Sequence, residues 1–199
     1  MAEAKSELLP FPADALHTDA LAKSKDVAFD EVGAGYYGLR QAIIDMGRSC
    51  LIPGSRVVDL RCDLPMLMPL IIENEDMCKF VVLSPTEKES WKCFDRLRTR
   101  VRAGFVDTAC LDLQERFPEV STRMILSLQA LGGIEGARRE EVLRSMHRRL
   151  EKGGAAIVME DVADETHAEE WESLMASAGF RTVKRTWSDG IHIAWTLRK

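Results

Sequence analysis

Apolar residues in this chain alternate between two kinds of run. Short saturated runs, "RVVDL" (56–60), "CKFVVLS" (78–84), "RMILSLQ" (123–129) and "AAIVMED" (155–161), read as strands covered on both faces. "GFVDTACLD" (104–112) is a further strand. Longer segments between them repeat their apolar positions every three or four residues. These are "PMLMPLIIEN" (65–74), "PTEKESWKCFDRLRTR" (85–100), "GARREEVLRSMHRRLEKGG" (136–154) and "AEEWESLMASAGF" (168–180), and they read as helices. Pro65 and Pro85 suit first turns, and Gly153–Gly154 closes the third of these helices. An earlier helix runs from about Tyr36 to Arg48 and is ended by "IPGS". "RTVKRTW" and "IHIAWTLRK" are two terminal strands separated by the turn "SDG".

Alternation of this kind predicts an α/β fold: a doubly wound, Rossmann-like sheet of seven mostly parallel strands, ending in an antiparallel hairpin at one edge. Residues 1–28 carry little periodicity and read as a partly ordered N-terminal arm, leaving 29–199 as one domain.

Composition narrows the function classes. A hydrophobic fraction of 46% fits a globular protein with a full core. No apolar run approaches the roughly 18 residues of a membrane span, and the N-terminus lacks the pattern of a secretory signal, so the expected location is cytoplasmic. Five widely spaced cysteines without a C-x-x-C pair argue against disulfides and zinc, and read as mostly buried thiols. The four histidines form no ligand cluster. A net charge of −5 opposes general coating of nucleic acid. Two arginine-rich stretches, 96–102 and 138–149, read either as solvated helix faces with interleaved acids or as an RNA contact.

The turn after "RVVDL" is the most informative segment. It follows an apolar strand that ends in an acid, where glycines would let a ligand approach the backbone. It reads Arg61, Cys62, Asp63, Leu64, Pro65 instead. The order of segments resembles the class I S-adenosylmethionine-dependent methyltransferases. More narrowly it looks like the branch holding the carboxy-S-adenosylmethionine synthases and related tRNA-methyltransferase-like proteins. The resemblance rests on "FDE" (29–31), "GYYGLRQAI" (35–43), "VVDLRC" (57–62), "CKFVVL" (78–83), "CLDLQERFPE" (110–119), "MILSLQAL" (124–131), "LEKGGAAIVMEDV" (150–162) and "LMASAGFRTVKRTW" (174–187).

That resemblance implies a role for each candidate residue. S-adenosylmethionine would be the cofactor, and the reaction an in-line displacement at its methyl group. Asp59, Arg61 and Asp63 would border the methionine part. Ser84 stands where the family places an acid for the ribose hydroxyls, with Glu87 three residues on. Asp112 and Leu113 would meet the adenine, although Asp112 reads equally as a turn cap. Ser127 and Gln129 would flank the transferred methyl. Arg61 stands at a glycine position, and Pro65 at or near another. Two covering segments of the family are short: "VGA" alone links "FDE" to Gly35, and "ADETHA" alone follows "EDV". The expected function is a methyltransferase-like protein with a degenerate cofactor loop and weak or absent activity. The alternatives are a pseudoenzyme that binds a protein partner through the arm and the charged helices, and an RNA-binding protein.

Overall fold

The computed structural model describes residues 36–199; the arm at 1–28 and the "FDE" segment lie outside the described residues. Seven strands form one sheet in the order β3-β2-β1-β4-β5-β7-β6. The strands are β1 (Arg56–Asp59), β2 (Lys79–Ser84), β3 (Val106–Cys110), β4 (Thr122–Leu128), β5 (Leu150–Asp161), β6 (Thr182–Ser188) and β7 (His192–Arg198). β1 to β5 are parallel neighbours, whereas β7 runs antiparallel to both β5 and β6. The predicted doubly wound sheet with its terminal hairpin is therefore present.

β1, β2, β4 and the carboxyl half of β5 are buried on both faces, as their saturated apolar sequences anticipate, whereas the edge strands β3 and β6 are partly to largely exposed. Alternate residues face opposite cores. Val57, Phe80, Val82, Met124 and Leu126 meet α1 (Tyr37–Cys50), α2 (Leu64–Asn74) and α3 (Glu87–Arg102) on one side. Val58, Val81, Leu83, Ile125 and Trp195 meet α4 (Gly136–Arg149) and α5 (Glu165–Ser177) on the other. The order of helices reverses between β1 and β4, so the topological switch point lies between them. Ligands of open α/β sheets sit at the carboxyl ends of the strands at such a point.

Helix starts follow local chemistry. Thr86 caps α3, accepting from the Glu89 N–H at 3.3 Å and donating its hydroxyl to the Glu89 carboxylate at 2.8 Å. The spacing is that of a capping box, but the Glu89 carboxylate returns to the Thr86 hydroxyl rather than to its backbone N–H. The cap, rather than Pro85, sets the boundary. Asp164 caps α5 by accepting from the His167 N–H at 2.9 Å, so this helix begins earlier than its apolar pattern suggested.

Two expectations are corrected. Gly153 and Gly154 do not close α4; the helix ends at Arg149 and the glycines lie inside β5. The β4–β5 register shifts between Thr122 and Met124, and a Cβ on Gly154 would stand 2.8 Å from the Arg123 carbonyl oxygen. The glycine therefore permits close backbone approach at an irregular ladder rather than ending a helix. The second correction concerns the cysteines. Cys62 and Cys93 form a disulfide with Cα atoms 6.6 Å apart, while Cys50 and Cys78 are buried thiols and Cys110 is exposed. Spacing in sequence missed the pair because residues 31 apart are brought together only by the packing of the β1–α2 turn against α3.

Leu126 is fully buried at the centre of the sheet, between β1 and β5. Leu126→Ala should lower stability by about 2–5 kcal/mol, read as a reduced denaturant midpoint at unchanged slope.

Candidate functional site

The site is built from the carboxyl ends of β1, β2, β3 and β4. β1 delivers Asp59 into the interior, where it is 1% exposed. One carboxylate oxygen accepts the Arg61 N–H at 3.0 Å and the Cys62 N–H at 3.2 Å, folding the chain back sharply. The other oxygen is buried without a hydrogen-bond partner. Burial pushes the Asp59 carboxyl up to about 7, against the backbone N–H groups that favour its charge and with the nearby Asp63 adding to the rise.

Cys62 adopts φ 63, the left-handed region that glycine occupies most readily. The turn thus keeps a glycine-like backbone at one position without a glycine. Asp63 faces away from the cleft as the N-cap of α2, accepting from the Met66 N–H at 3.3 Å. Burial raises its carboxyl as well, opposed by that N–H and by Arg61. Pro65 lies in the first turn of α2, a helix-start role.

Arg61 crosses the switch point. Its guanidinium donates to the backbone carbonyl of Gln129, just beyond β4. Gln129 is itself left-handed at φ 52. Gln114 makes a second strap, its amide donating to the Gly133 carbonyl at 3.1 Å. Below these straps lies a cleft of about 190 Å³ with apolar walls that include Leu60, Pro85, Leu111, Leu113 and Ile134. Ligand pockets commonly enclose ~300–1,000 Å³, so the space falls below that range.

The remaining candidates are placed as follows. Asp112 lines the cleft and is exposed, and it accepts the Gln114 N–H at 2.8 Å, which is the turn-capping contact. Leu113 lines the same wall and is 7% exposed. Ser84 and Ser127 are fully buried, with unpartnered hydroxyls, and neither lines the cleft. Arg61, Asp112 and Leu113 are therefore brought together, Asp59 lies beneath them, and Asp63, Ser84 and Ser127 do not reach the space.

Sequence reasoning missed Gln114 and Glu160. Gln114 carries no motif signal beyond following "CLDL". Glu160 stands one residue before the end of a saturated strand yet is 2% exposed, an anomaly that could have flagged it. Its two oxygens accept the Leu131 N–H at 2.8 Å and the Gly132 N–H at 2.9 Å, holding the loop after β4. Burial lifts its carboxyl to about 7, opposed first by those two N–H groups and then by Arg139 and Arg61. Arg139 braces the same loop through the Leu131, Gly132 and Ile134 carbonyls and lies over the Trp171 ring at 4.8 Å.

A polar chain extends from this loop along the strand ends. The Gln129 amide donates to Asp161 at 2.9 Å, Asp161 lies 3.2 Å from His192 Nε2, and Asp189 lies 2.8 Å from His192 Nδ1. Burial works against the Asp189 charge, yet the His192 N–H and ring and the Ile191 N–H hold its carboxyl down to about 2. Tyr36 stacks on Trp187 with ring centres 5.3 Å apart and tilts against His192 at 6.0 Å.

Five of the nine arginines in the two basic stretches pair with acids, Arg149 with Glu119 at 4.0 Å among them. Arg98 pairs with Asp95, Arg100 with Glu75 at 2.9 Å, Arg138 with Glu141 at 2.6 Å and Arg144 with Glu140. Such pairing is that of a mixed-sign helix face. Among the described residues no histidine, cysteine and acid cluster could hold a metal ion, and no helix is long and apolar enough to cross a membrane.

No family model matches the sequence, and no curated protein matches it. Solved structures do match the fold. The [4+2]-cyclase SpnF aligns with TM-score 0.63 and 16% identity over 80% of this chain and 81% of its own. Human N-acetylserotonin methyltransferase, solved with S-adenosylmethionine, aligns with TM-score 0.58 and 18% identity over 81% and 53%. A TehB-like S-adenosylmethionine-dependent methyltransferase from Corynebacterium glutamicum aligns with TM-score 0.59 and 13% identity over 80% and 86%. This chain spans about half the length of two other methyltransferases it matches. At these identities the likeness shows the fold alone, one that these methyltransferases share with a cyclase, so the fold carries more than one chemistry.

Asp59 and Glu160 ionise near 7 when folded but near 4 when unfolded, so the folded state holds more protons between those values. Stability should fall as pH rises from about 5 through 7, by up to about 1.4 kcal/mol per pH unit for each group. Asp59→Asn should flatten this slope in chemical denaturation at a series of pH values. A wild-type profile that rises over the same window would refute the assignment.

Proposed function

We propose that this chain keeps a methyltransferase fold around a degenerate cofactor site, so that S-adenosylmethionine binding and methyl transfer are weak or absent. One observation carries the reading: the Arg61 guanidinium, rooted in the cofactor turn, lies across the switch point on the Gln129 carbonyl.

The described residues do not fit the whole cofactor in this arrangement. The cleft of about 190 Å³ is smaller than ligand pockets commonly are. β2 ends in Ser84, whose side chain is buried, so no carboxylate there can accept two ribose hydroxyls. Arg61 also brings positive charge toward the position of a cofactor whose sulfonium is positive. Entry of the ligand would require the Arg61 and Gln114 straps to swing aside and their hydrogen bonds to be replaced. Transfer further demands aligned reactants shielded from water, which the two short connections in sequence are poorly suited to supply.

The same closed cleft favours a second reading, a pseudoenzyme in which the fold persists as a protein-interaction module, because function lives in the site and not in the fold. The carboxy-S-adenosylmethionine synthase and tRNA-methyltransferase branch is the narrower family we propose, on the sequence segments alone.

Calorimetric titration of the disulfide-intact protein with S-adenosylmethionine and S-adenosylhomocysteine tests the reading. The expected dissociation constant is about 1 mM or weaker, with little thermal stabilisation at that concentration. Arg61→Ala should tighten binding by about tenfold or more if the strap is the main obstacle. Micromolar binding by the wild type would overturn the proposal.

A further inference from the structure

Cys62 ties the cofactor turn covalently to a helix that follows a different strand. The turn connects β1 to α2, and Cys93 lies in the second turn of α3, two strands along the sheet edge from the switch point. Cys62 is half-buried, next in sequence to Arg61 and held at φ 63 with its N–H on Asp59. Cys93 is 2% exposed, facing the core together with Leu97. The bond therefore holds in place the backbone from which Arg61 reaches Gln129. Asp59 alone secures the Arg61 and Cys62 amides otherwise, through one oxygen.

We propose that Cys62 and Cys93 are a reversible thiol–disulfide modification site that sets whether the Arg61 strap is fixed over the cleft. In the disulfide form the turn has one conformation and the strap stays closed. In the dithiol form Cys62 is free of α3, and the turn, with a non-glycine residue in left-handed backbone, relaxes and releases Arg61. The proposal rests on the reading of this cleft as the cofactor cleft only for its effect on ligand binding; the clasp itself does not depend on it.

The chemistry balances with a small-molecule disulfide as oxidant. The Cys62 thiolate, the more accessible of the two, attacks one sulfur of the oxidant, giving a mixed disulfide and expelling one thiolate. The Cys93 thiolate then attacks the Cys62 sulfur, forms the Cys62–Cys93 bond and expels the second thiolate. Two protein thiols lose two protons and two electrons; the oxidant becomes two thiols. A dithiol such as dithiothreitol reverses both steps. Cys110, though exposed, stays a free thiol in the structure, and Cys50 and Cys78 are buried thiols, so the pairing is selective.

The test uses the full chain equilibrated in glutathione disulfide or in dithiothreitol, then quenched, denatured, alkylated and mapped by mass spectrometry. The oxidised sample should yield a linked Cys62–Cys93 peptide with Cys50, Cys78 and Cys110 alkylated, and dithiothreitol should free all five cysteines. Amide exchange of peptides covering 59–66 should be about tenfold faster in the reduced form, with the β4 and β5 peptides unchanged. Cys93→Ser should exchange at the reduced rate in both buffers, and Cys110→Ser should keep the full redox response. Cys62→Gly, whose backbone suits φ 63, serves as the second clasp-free variant should Cys93→Ser fail to fold.

Failure to form the linked peptide, or equal exchange at 59–66 in two redox states verified by mass, overturns the proposal. Titration with S-adenosylhomocysteine separates the two readings. Binding about tenfold tighter after reduction supports both. No binding in either state, with exchange still redox-dependent, agrees with a cofactor site that is lost and leaves the clasp standing, whereas micromolar binding in the disulfide state overturns the proposed function and not the clasp.

Discussion

A single buried carboxylate organises the switch point. Asp59 ends β1 inside the protein, and its one satisfied oxygen gathers the first two amides of the turn that follows. Burying an acid is costly, and the rise of its ionisation to about 7 reflects that cost. The contact decides where the chain goes next. Because Asp59 holds the Arg61 and Cys62 backbones, Arg61 projects across the cleft and Cys62 points to α3. The strap, the disulfide and the small volume of the cleft all depend on it.

Glu160 repeats the arrangement on the other side. It stands one residue before the end of β5, gathers the Leu131 and Gly132 amides, and so fixes the loop whose Gln129 receives the strap. Both partners in the closure are thus positioned by buried acids, and neither depends on a ligand. Arg139 reinforces the second loop from α4 through three carbonyls. A cleft assembled in this way is rigid on both rims, which is why the side chains spanning it, rather than the backbone around it, determine what can enter.

Much of this was legible in the sequence. The saturated strand runs and their alternation with amphipathic helices made the sheet legible, because burial of a strand on two faces and of a helix on one is recorded directly in local composition. Arg61 also stood out, since a long cation at a glycine-favouring turn breaks a local rule, and such breaks concentrate at functional or formerly functional sites. What was not legible is long-range. The Cys62–Cys93 bond, the Arg61–Gln129 strap and the Gln114–Gly133 strap join residues 31, 68 and 19 positions apart, and no periodicity encodes them. Glu160 lay hidden in a strand whose apolar pattern gave its charge no apparent role. Gly153–Gly154 misled because glycine signals both a helix stop and a close strand approach, and only the neighbouring Arg123 carbonyl distinguishes them.

The separation between core and site explains how such a cleft can close while the fold endures. The second core reaches the cleft through Leu60, Leu111, Leu113 and Ile134, but the straps are polar side chains that bond to backbone carbonyls at the rim. Loss of cofactor-facing residues therefore costs the fold little. The buried acids are a different matter. Replacing Asp59 and Glu160 with apolar residues would remove two desolvated charges but would leave four backbone N–H groups at the strand ends without acceptors. An orphaned buried donor costs about 1–3 kcal/mol, so four of them rival the desolvation that would be recovered. The acids persist, on this argument, because the strand-to-helix turns of the fold require them. A carboxylate in that position marks the architecture of the turn, and the residue two positions after it, Arg61, decides what spans the switch point.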